Sequence, residues 1–378
     1  MTALPKLLLV GSSSGVSGVP TYIRQLCEAL RHEANITVVS DGLGDGYTFT
    51  KSLGLPYHAV SGLARGQGLG GLRRGYTGLK KVVEESQSDI VWANSFVPIL
   101  LSRFLAHQGY VRKLVVTSHG APFGAGRRAL PAFIGKQIET AFLKYGPAQD
   151  MIFVSDRDKR LYDAFAGPMH RTWYVPNASD LKPPPMVDNG NRPRLVMTSR
   201  VAWQKNPQAA ARIHAALPEG WQMVMAGPGT QDRSFQDSLR ALMPESRWND
   251  LSFSGVLSRN ALGELLVRSD LHLMTSRYEG FPLGALEAFE TGLPLAMTDV
   301  GGTQAIMQAH PMASLIDAEK PKEAAGMIQE IITRFRQDRM GNSQHIRLAC
   351  AEAFGFPRWK QDMQKLFTTR LTADLTKQ

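Results

Sequence analysis

Short apolar runs alternate with longer amphipathic segments along most of the chain, and this alternation limits the possible folds more than any other feature. The runs are three to five residues long, and several are rich in Leu, Ile or Val, which is typical of strands buried on both faces. The segments between them are long enough to hold a crossover helix. The pattern predicts an α/β fold of doubly wound parallel sheets. The predicted strands of the first half are Leu7–Val10, Ile36–Ser40, Asp89–Trp92, Lys113–Thr117, Met151–Val154 and Thr172–Val175.

A proline-rich segment at residues 180–193 interrupts the alternation. Four prolines among turn-forming residues cannot continue a helix or a central strand. We therefore expect two Rossmann-like domains, residues 1–178 and 194–355, facing each other across a cleft and joined by a linker at 179–193. We expect a last amphipathic helix within 356–378 to pack back on the first domain, with the second domain as the alternative. The strands predicted after the break are Leu195–Thr198, Gln222–Ala226, Leu251–Ser254, Leu271–Met274, Leu295–Thr298 and Ser314–Ile316.

The sequence carries no sign of export or of a membrane span. The first apolar run, Leu7–Val10, is shorter than the roughly 7–15 apolar residues of a signal peptide. The longest apolar stretch, residues 90–105, is interrupted by polar residues and a proline, unlike a spanning helix of about 20 apolar residues. Cys27 and Cys350 lack metal or redox spacing, so both are interpreted as reduced side chains. These features favour a cytoplasmic protein.

The positive charge is concentrated in the first half. The net charge is +10, and residues 46–83 and 90–138 contain no Asp or Glu. One interpretation is a solvated basic face. The other is attraction to anionic phosphates, those of a membrane surface or a lipid-linked acceptor, which would make the protein peripheral on the cytoplasmic face of the membrane. A nucleic-acid partner is not expected, because zinc-finger spacing, RNA-recognition signatures and zipper heptads are missing.

A glycine cluster follows the first predicted strand. Gly11, Gly15 and Gly18 would let backbone amides approach a diphosphate at a helix amino terminus. Their spacing does not fit the dinucleotide pattern G-x-G-x-x-G. A nicotinamide-dependent oxidoreductase, with Asp41 holding a ribose, therefore stays only a distant alternative. A turn that merely requires small residues is a second one.

Two cations follow the first strand of the predicted second domain. Arg200 and Lys205 lie in a loop at the carboxyl end of that strand, where ligands of doubly wound sheets bind. A guanidinium and an ammonium placed there would neutralise a departing nucleoside diphosphate. The plainer alternative is two surface cations on a turn.

Two glutamates flank a predicted helix start. Pro282 suits the first helical position, which would place the amides of Phe281 to Gly284 at a partially positive terminus that attracts phosphate. Glu279, just before the helix, could accept hydrogen bonds from sugar hydroxyls. Glu287, about two turns deeper, could point to the same side and hold a ribose. Alternatively, both acids simply favour the helix dipole.

This pair of glutamates, separated by seven residues, resembles the signature of the retaining glycosyltransferases of family 4. The resemblance extends along nearly the whole chain and implies the GT-B fold, with the sugar donor held chiefly by the second domain. The further features in register are Gly18–Ile23, Ser118–Gly120, Pro176–Asn177, Arg200 with Lys205, Ser252–Gly255 and Thr298–Gly302. Two positions depart from the family habit: Ser17 replaces the first of two glycines, and Ala178 stands where glycine is usual.

The resemblance also implies roles for individual residues. Arg200 and Lys205 would stabilise the leaving diphosphate, Glu279 would contact the donor sugar, and His119 would touch the sugar near the reacting centre. A lone His after a strand is otherwise more often structural. No Asp-x-Asp pair stands where a divalent cation would be held, so neither a metal nor a cofactor is expected besides the nucleotide-sugar co-substrate. The residues expected to bind the donor are Gly18, Gly255, Val256, Phe281, Pro282, Leu283 and Glu287.

The implied function is retaining transfer of a hexosyl group from a nucleotide-diphosphate sugar to a saccharide or lipid-linked saccharide. Surface polysaccharide, lipopolysaccharide or glycolipid synthesis is the expected setting. A nucleotide-sugar epimerase, another GT-B enzyme such as a phosphorylase, and a non-catalytic scaffold are alternatives. The sequence leaves the nucleotide, the sugar and the acceptor open.

Overall fold

The computed structural model describes residues 4–15, 17–42, 44–187 and 190–375. Parts of three predicted segments lie outside this range: 1–3, 16 and 43 of the first domain, 188–189 of the linker and 376–378 of the terminal segment. The chain forms two compact units. The first comprises residues 1–124, 128–177 and 357–378, and the second comprises 125–127 and 178–356.

The first unit is built on a seven-stranded parallel sheet in the order β3-β2-β1-β4-β5-β6-β7. The order reverses beside β1, so the switch point of this sheet lies between β1 and β4. The strands are β1 (Lys6–Ser13), β2 (Asn35–Asp41), β3 (Tyr57–Ala59), β4 (Ile90–Asn94), β5 (Leu114–Ser118), β6 (Asp150–Phe153) and β7 (Arg171–Tyr174). The helices are α1 (Gly18–Leu30), α2 (Phe49–Ser52), α3 (Gly68–Ser86), α4 (Phe96–His107), α5 (Ala129–Tyr145) and α6 (Asp156–Asp163).

The central strands of this sheet have both faces buried. Leu7, Leu8, Leu9 and Val10 of β1 are fully inaccessible to solvent, because helices cover the two faces to which successive side chains point. Leu8 lies in register with Thr37 of β2 and Val91 of β4. Burial on both faces explains why these strands are continuous apolar runs.

The last helix, α15 (Phe356–Leu366), packs on the first unit, followed by a π-helical turn at Phe367–Leu371. The Trp359 ring meets the Tyr22 ring edge-on at 5.7 Å between centroids. Gln364 Nε2 donates a 2.9 Å hydrogen bond to the carbonyl of Ala29 in α1. The first unit is thus assembled from both ends of the described chain.

The second unit is built on a six-stranded parallel sheet in the order β10-β9-β8-β11-β12-β13. Its switch point lies between β8 and β11. The strands are β8 (Arg194–Thr198), β9 (Gln222–Ala226), β10 (Leu251–Gly255), β11 (Leu271–Met274), β12 (Leu295–Met297) and β13 (Ala313–Leu315). The helices are α7 (Pro207–Ala215), α8 (Arg233–Arg240), α9 (Glu245–Trp248), α10 (Arg259–Val267), α11 (Leu283–Thr291), α12 (Thr303–Ala309), α13 (Pro321–Gln337) and α14 (Arg339–Phe354).

The prediction of doubly wound parallel sheets is confirmed, and all twelve predicted strands are present. β1 is longer than predicted at its carboxyl end. β3 was not predicted, because it is a three-residue edge strand with no buried residue. Pro282 is not the first helical residue: with ψ at 101° it is extended and occupies the N-cap, and α11 begins at Leu283. None of the helices in the described ranges is long and apolar enough to cross a membrane.

Candidate active site

The centre of the candidate site is an ion pair between the loops that follow β8 and β11. Lys205 Nζ donates a hydrogen bond of 2.5 Å to Glu279 Oε1. The Glu279 side chain is only 8% exposed, so the ammonium offsets the cost of burying its carboxylate. β8 and β11 are neighbours at the switch point, and in a parallel sheet their following loops emerge at the same edge. The topology therefore brings the two predicted residues together.

Gln204 connects this pair to Arg200. Its Nε2 donates to the Tyr278 carbonyl at 2.9 Å and to Glu279 Oε2 at 3.4 Å. Its Oε1 accepts a 3.3 Å hydrogen bond from Nη2 of Arg200, an exposed residue. Both oxygens of Glu279 are thus occupied, and the two predicted cations reach it directly or through one amide. Gln204 was not predicted, although its position next to Lys205 in the same loop was the available signal.

The start of α11 lies close to the end of β8. A Cβ atom on Gly284 would come within 2.6 Å of Thr198 Oγ1 and 2.8 Å of the Thr198 carbonyl oxygen, so only glycine fits there. Thr198 Oγ1 is in turn 2.9 Å from Nε2 of His272, whose pKa is lowered to about 3 by burial. A small cavity beside this contact is lined by Lys205, Ser199 and Gly284, among others. The helix terminus and the ammonium therefore border the same space.

The backbone of the loop that carries Glu279 packs against the glycines that follow β12. Gly302 N donates a 2.7 Å hydrogen bond to the carbonyl of Gly280. Gly301 has φ at +51°, and a Cβ there would lie 2.2 Å from the Glu279 carbonyl oxygen. Phe281, predicted to offer its amide to the donor, is buried at 5% exposure. The turn at residues 298–302 therefore fixes the backbone of the predicted site.

Glu287 lies on α11 away from the Lys205–Glu279 pair. Its Oε1 is 3.8 Å from Nη1 of Arg259, and Arg259 Nη2 donates to Asp180 Oδ1 at 2.8 Å. Burial raises the pKa of the Glu287 carboxyl to about 7, while the Arg259 charge opposes this rise. The structure therefore groups the two predicted glutamates with different cations. Arg259 was not predicted as part of the site, because nothing in its spacing marks it.

Gly255 ends β10, the edge strand of the second sheet, and Val256 follows it. Gly255 has φ at +66°, and its N–H donates to Thr230 Oγ1 at 3.1 Å. Its carbonyl accepts from Gly227 N at 2.6 Å. Val256 is 64% exposed. The turn therefore presents an exposed apolar side chain at the carboxyl edge of the sheet.

In the first unit, His119 follows β5 and is held by packing. Its ring meets the Tyr22 ring edge-on at 4.8 Å, and Nε2 is 3.4 Å from Asn94 Oδ1. Burial lowers the pKa of His119 to about 4. The imidazole is therefore neutral near pH 7 and can exchange hydrogen bonds without carrying charge.

At least one glycine of the cluster after the first strand is required for packing rather than for ligand binding. A Cβ on Gly11 would lie 1.9 Å from the Tyr47 hydroxyl, so this position requires glycine for packing. Gly18 is the first residue of α1, and residue 16 of the turn lies outside the described ranges. Asp41 is engaged at the end of β2, where its Oδ2 accepts 2.6 Å hydrogen bonds from Ala64 N and Gln67 Nε2 in the segment before α3. The ribose-binding role that the oxidoreductase alternative gave to Asp41 is not supported by this arrangement.

Two family models match consecutive parts of the chain. Residues 17–178 match the glycosyl transferase 4-like domain, and residues 181–344 match glycosyl transferases group 1. The chain belongs to this family of retaining hexosyltransferases with the GT-B fold, whose members transfer a sugar from a nucleotide sugar. The family and fold predicted from the sequence are confirmed.

A curated relative is the UDP-Gal:alpha-D-GlcNAc-diphosphoundecaprenol alpha-1,3-galactosyltransferase of Escherichia coli. It is 26% identical over 255 residues, which cover 61% of this chain and 62% of the relative. The match thus spans less than two thirds of that enzyme's length.

Solved structures show the same fold over nearly the full chain. Sucrose-phosphate synthase from Thermosynechococcus elongatus superposes with a TM-score of 0.82 at 16% identity, covering 98% of this chain and 100% of that one. Anabaena HepE in complex with UDP-glucose gives a TM-score of 0.79 at 16% identity, covering 97% and 100%. Both likenesses confirm the GT-B fold with its two parallel α/β sheets.

Proposed function

We propose that the protein transfers a hexosyl group from a uridine diphosphate sugar to a saccharide or lipid-linked saccharide, with retention of anomeric configuration. The observation that carries this proposal is the Lys205–Glu279 pair beside the start of α11. It combines a cation for phosphate with a carboxylate for sugar hydroxyls. A uridine nucleotide is favoured because the curated relative and the HepE complex both carry UDP-linked sugars in their names.

In this proposal the second unit stabilises the charge that develops on the departing diphosphate. Lys205, Arg200 and the backbone amides at the start of α11 are positioned before the reaction, so they need little rearrangement in the transition state. The anomeric carbon–oxygen bond to the diphosphate breaks, and the oxygen of the acceptor hydroxyl bonds to the same face of that carbon. The hydroxyl proton passes to an oxygen of the departing diphosphate. Positive side chains and the helix terminus neutralise the leaving group.

The remaining predicted residues would each contact a different part of the nucleotide-sugar donor. Glu279 would accept hydrogen bonds from the sugar, exchanging part of its contacts with Lys205 and Gln204 for those hydroxyls. Glu287 would accept from the ribose hydroxyls, and Val256 would contact the base. His119 of the first unit would hydrogen-bond the sugar as a neutral imidazole. Gly18 would allow close approach of the α1 terminus.

For the acceptor, we propose a lipid-linked saccharide presented at the cytoplasmic face of an anionic membrane, in lipopolysaccharide or other surface polysaccharide synthesis. The support lies on α5, where Leu130, Phe133 and Ile134 are 68%, 62% and 49% exposed. Their spacing places them on one face of the helix. Arg128 and Lys136 are exposed beside them, within the acid-free stretch 90–138. Apolar side chains flanked by cations fit an anionic lipid surface.

Vesicle sedimentation tests the membrane part of the proposal. Wild-type protein should bind phosphatidylglycerol-containing vesicles, and binding should fall as salt rises, because exposed charges are screened. Leu130→Ser with Phe133→Ser should weaken binding at least about fivefold, whereas Leu348→Ser, also exposed at 63% but on α14, should not. Equal binding to neutral and anionic vesicles would refute it.

The transfer reaction is tested by screening nucleotide sugars for slow hydrolysis, followed by NMR assignment of the anomeric configuration of the product. The expected result is release of UDP from one uridine diphosphate sugar and an α-linked product from an α-linked donor. Interconversion of the nucleotide sugar without release of nucleotide would instead support the epimerase alternative. Lack of turnover with every donor, despite tight nucleotide binding, would support a non-catalytic protein.

A further inference from the structure

A second cavity opens at the carboxyl ends of β11, β12 and β13, all in the second unit. Its volume is about 330 Å³, at the lower end of the roughly 300–1,000 Å³ typical of small-molecule sites. The segment Thr275–Arg277 forms one wall. Ser276 also lines the small cavity beside Lys205, so this segment separates the two spaces. The predicted donor residues do not line the larger cavity.

Two side chains of this cavity are buried and each has an uncompensated oxygen. Asn206 is 2% exposed and Ser276 is 1% exposed, and among the described residues neither Asn206 Oδ1 nor Ser276 Oγ has a hydrogen-bond partner. Their backbone carbonyls are satisfied, since Thr275 Oγ1 donates to Asn206 O at 2.9 Å and Thr298 Oγ1 donates to Ser276 O at 2.6 Å. Buried polar atoms lose hydration without compensation unless something else pairs with them. Both residues line the cavity, and these two buried polar atoms are the uncompensated groups of its wall.

The charged groups that line the cavity are three carboxylates and one guanidinium, that of Arg277. Asp299, Asp317 and Glu319 are exposed carboxylates on its rim, and Asp317 Oδ1 accepts a 2.9 Å hydrogen bond from Glu319 N. Carboxylates and an amide oxygen accept well from hydroxyl groups, whereas three carboxylates repel a phosphate. The cavity is thus suited to a neutral molecule with several hydroxyls.

An aromatic surface adjoins this rim. The Arg277 guanidinium, which lines the cavity, lies 4.7 Å from the centre of the Trp203 ring and donates a 2.6 Å hydrogen bond to the Trp203 carbonyl. Trp203 is 42% exposed. A large apolar ring next to hydroxyl acceptors offers contact to the C–H face of a sugar while its hydroxyls are bound.

We propose that this cavity is a second saccharide-binding site, which takes one hexose unit independently of the donor site. The hexose hydroxyls would pair with Ser276 Oγ, Asn206 Oδ1 and the rim carboxylates. This inference goes beyond the proposed transfer reaction, because it requires neither a nucleotide nor turnover.

The test is a titration of methyl α-D-glucopyranoside and methyl α-D-galactopyranoside into the full-length protein with saturating UDP, followed by saturation-transfer NMR and calorimetry. At least one glycoside should bind to wild-type protein. Ser276→Ala and Glu319→Gln should each weaken that binding at least about fivefold, through loss of a hydrogen bond to the sugar. Because Ser276 Oγ has no hydrogen-bond partner in the part of the chain that the structure describes, Ser276→Ala should not lower the melting temperature.

Two control variants match these changes. Ser343→Ala removes another buried, unpartnered hydroxyl of the same unit, and Glu264→Gln neutralises an exposed carboxylate on α10; both should bind the glycoside like wild type. Glu279→Gln separates this site from the donor site and should also leave binding intact. Binding lost in Glu279→Gln but kept in Ser276→Ala and Glu319→Gln would overturn the proposal, as would lack of binding of both glycosides to wild type. Hydrolysis of the nucleotide sugar, which Glu319→Gln should leave unchanged, reports on the proposed function separately.

Discussion

Lys205 and Glu279 are 74 residues apart in sequence, and their side chains form a 2.5 Å hydrogen bond at the switch point of the second sheet. The pair joins the loops after two neighbouring strands. Because Glu279 is largely buried, each residue limits the conformation of the other. Their coupling leads directly to two predictions.

Lys205→Ala should lower the rate of nucleotide-sugar turnover at least about tenfold, near 1.4 kcal/mol of barrier. The reason is the loss of a positive charge beside the start of α11, where we propose that the diphosphate departs. The measurement is kcat for hydrolysis or transfer. Lys322→Ala, which removes an exposed cation on α13, is the control and should keep wild-type turnover. A near-wild-type rate in Lys205→Ala would remove Lys205 from the site.

Glu279→Gln should also lower turnover at least about tenfold, because a neutral amide holds neither Lys205 nor the sugar hydroxyls as well as a carboxylate. The double variant should raise the activation barrier by less than the sum of the increases caused by the two single variants, since each single change already disrupts the same pair. A double-mutant cycle on kcat measures this. Full additivity would mean that the two residues act independently.

The affinity for UDP should rise with pH across the range in which Glu287 ionises. In the proposed donor site the Glu287 carboxylate would accept hydrogen bonds from the ribose, and burial holds its pKa near 7. Affinity should therefore increase by up to about tenfold per pH unit below 7 and level off above it. Calorimetry between pH 5.5 and 8.5 measures the effect. Glu287→Gln retains the titration of the UDP phosphates, so a profile identical to wild type would contradict the role of Glu287.

The ionisation of Glu287 should make the folding stability fall as pH rises, whereas the affinity for UDP should increase. The folded pKa of Glu287 is raised from 4.5 to about 7, so the folded state binds the proton more tightly and loses stability as pH rises between these values. Glu287→Gln should therefore melt higher than wild type at pH 8, and the difference should shrink towards pH 4.5. Thermal melts at several pH values check this.

His119 should make the folding stability rise with pH, in contrast to Glu287. Burial lowers its pKa from 6.5 to about 4, so the unfolded state binds more protons between these values and stability rises with pH. One such group gives at most about 1.4 kcal/mol per pH unit. Urea unfolding between pH 4.5 and 6.5 should show a smaller slope for His119→Gln than for wild type. An unchanged slope would mean that the imidazole is charged in the folded protein.

Gly284→Ala should weaken both the fold and UDP binding. The added Cβ would lie 2.6–2.8 Å from side-chain and backbone oxygens of Thr198, so the start of α11 must shift. Overpacking of this kind costs about 1–3 kcal/mol. Gly326→Ala is the matched control, because a Cβ there meets nothing within 4 Å inside α13 and should stabilise the helix by about 0.5–1 kcal/mol. Urea midpoints and UDP titrations compare the two.

The sequence predicts the sheets well, because strands buried on both faces must be apolar throughout. It does not predict α14, a helix of 16 residues. The buried face of that helix includes Ser343 and Cys350 besides Ile346 and Phe354, so the apolar stripe is too weak to stand out. The local pattern of apolar residues predicts a buried face only where the buried side chains are strongly hydrophobic.

The candidate site is predictable in position but not in detail. The motifs around Lys205 and Glu279 follow strands, and parallel topology alone brings such loops to one edge. The partners of these residues depend on side-chain geometry: Gln204 bridges Arg200 to Glu279, and Arg259 rather than Lys205 approaches Glu287. Neither contact follows from a characteristic spacing of residues in the sequence.

The order in which the chain is synthesised gives the last helix a particular importance. α15 completes the first unit, yet it leaves the ribosome only after the entire second unit has been made. Until then, Tyr22 lacks the Trp359 ring on one side while it already contacts His119 on another. The nascent first unit therefore reaches its final packing around His119 last, and a premature stop before α15 would damage the half of the protein that was translated first.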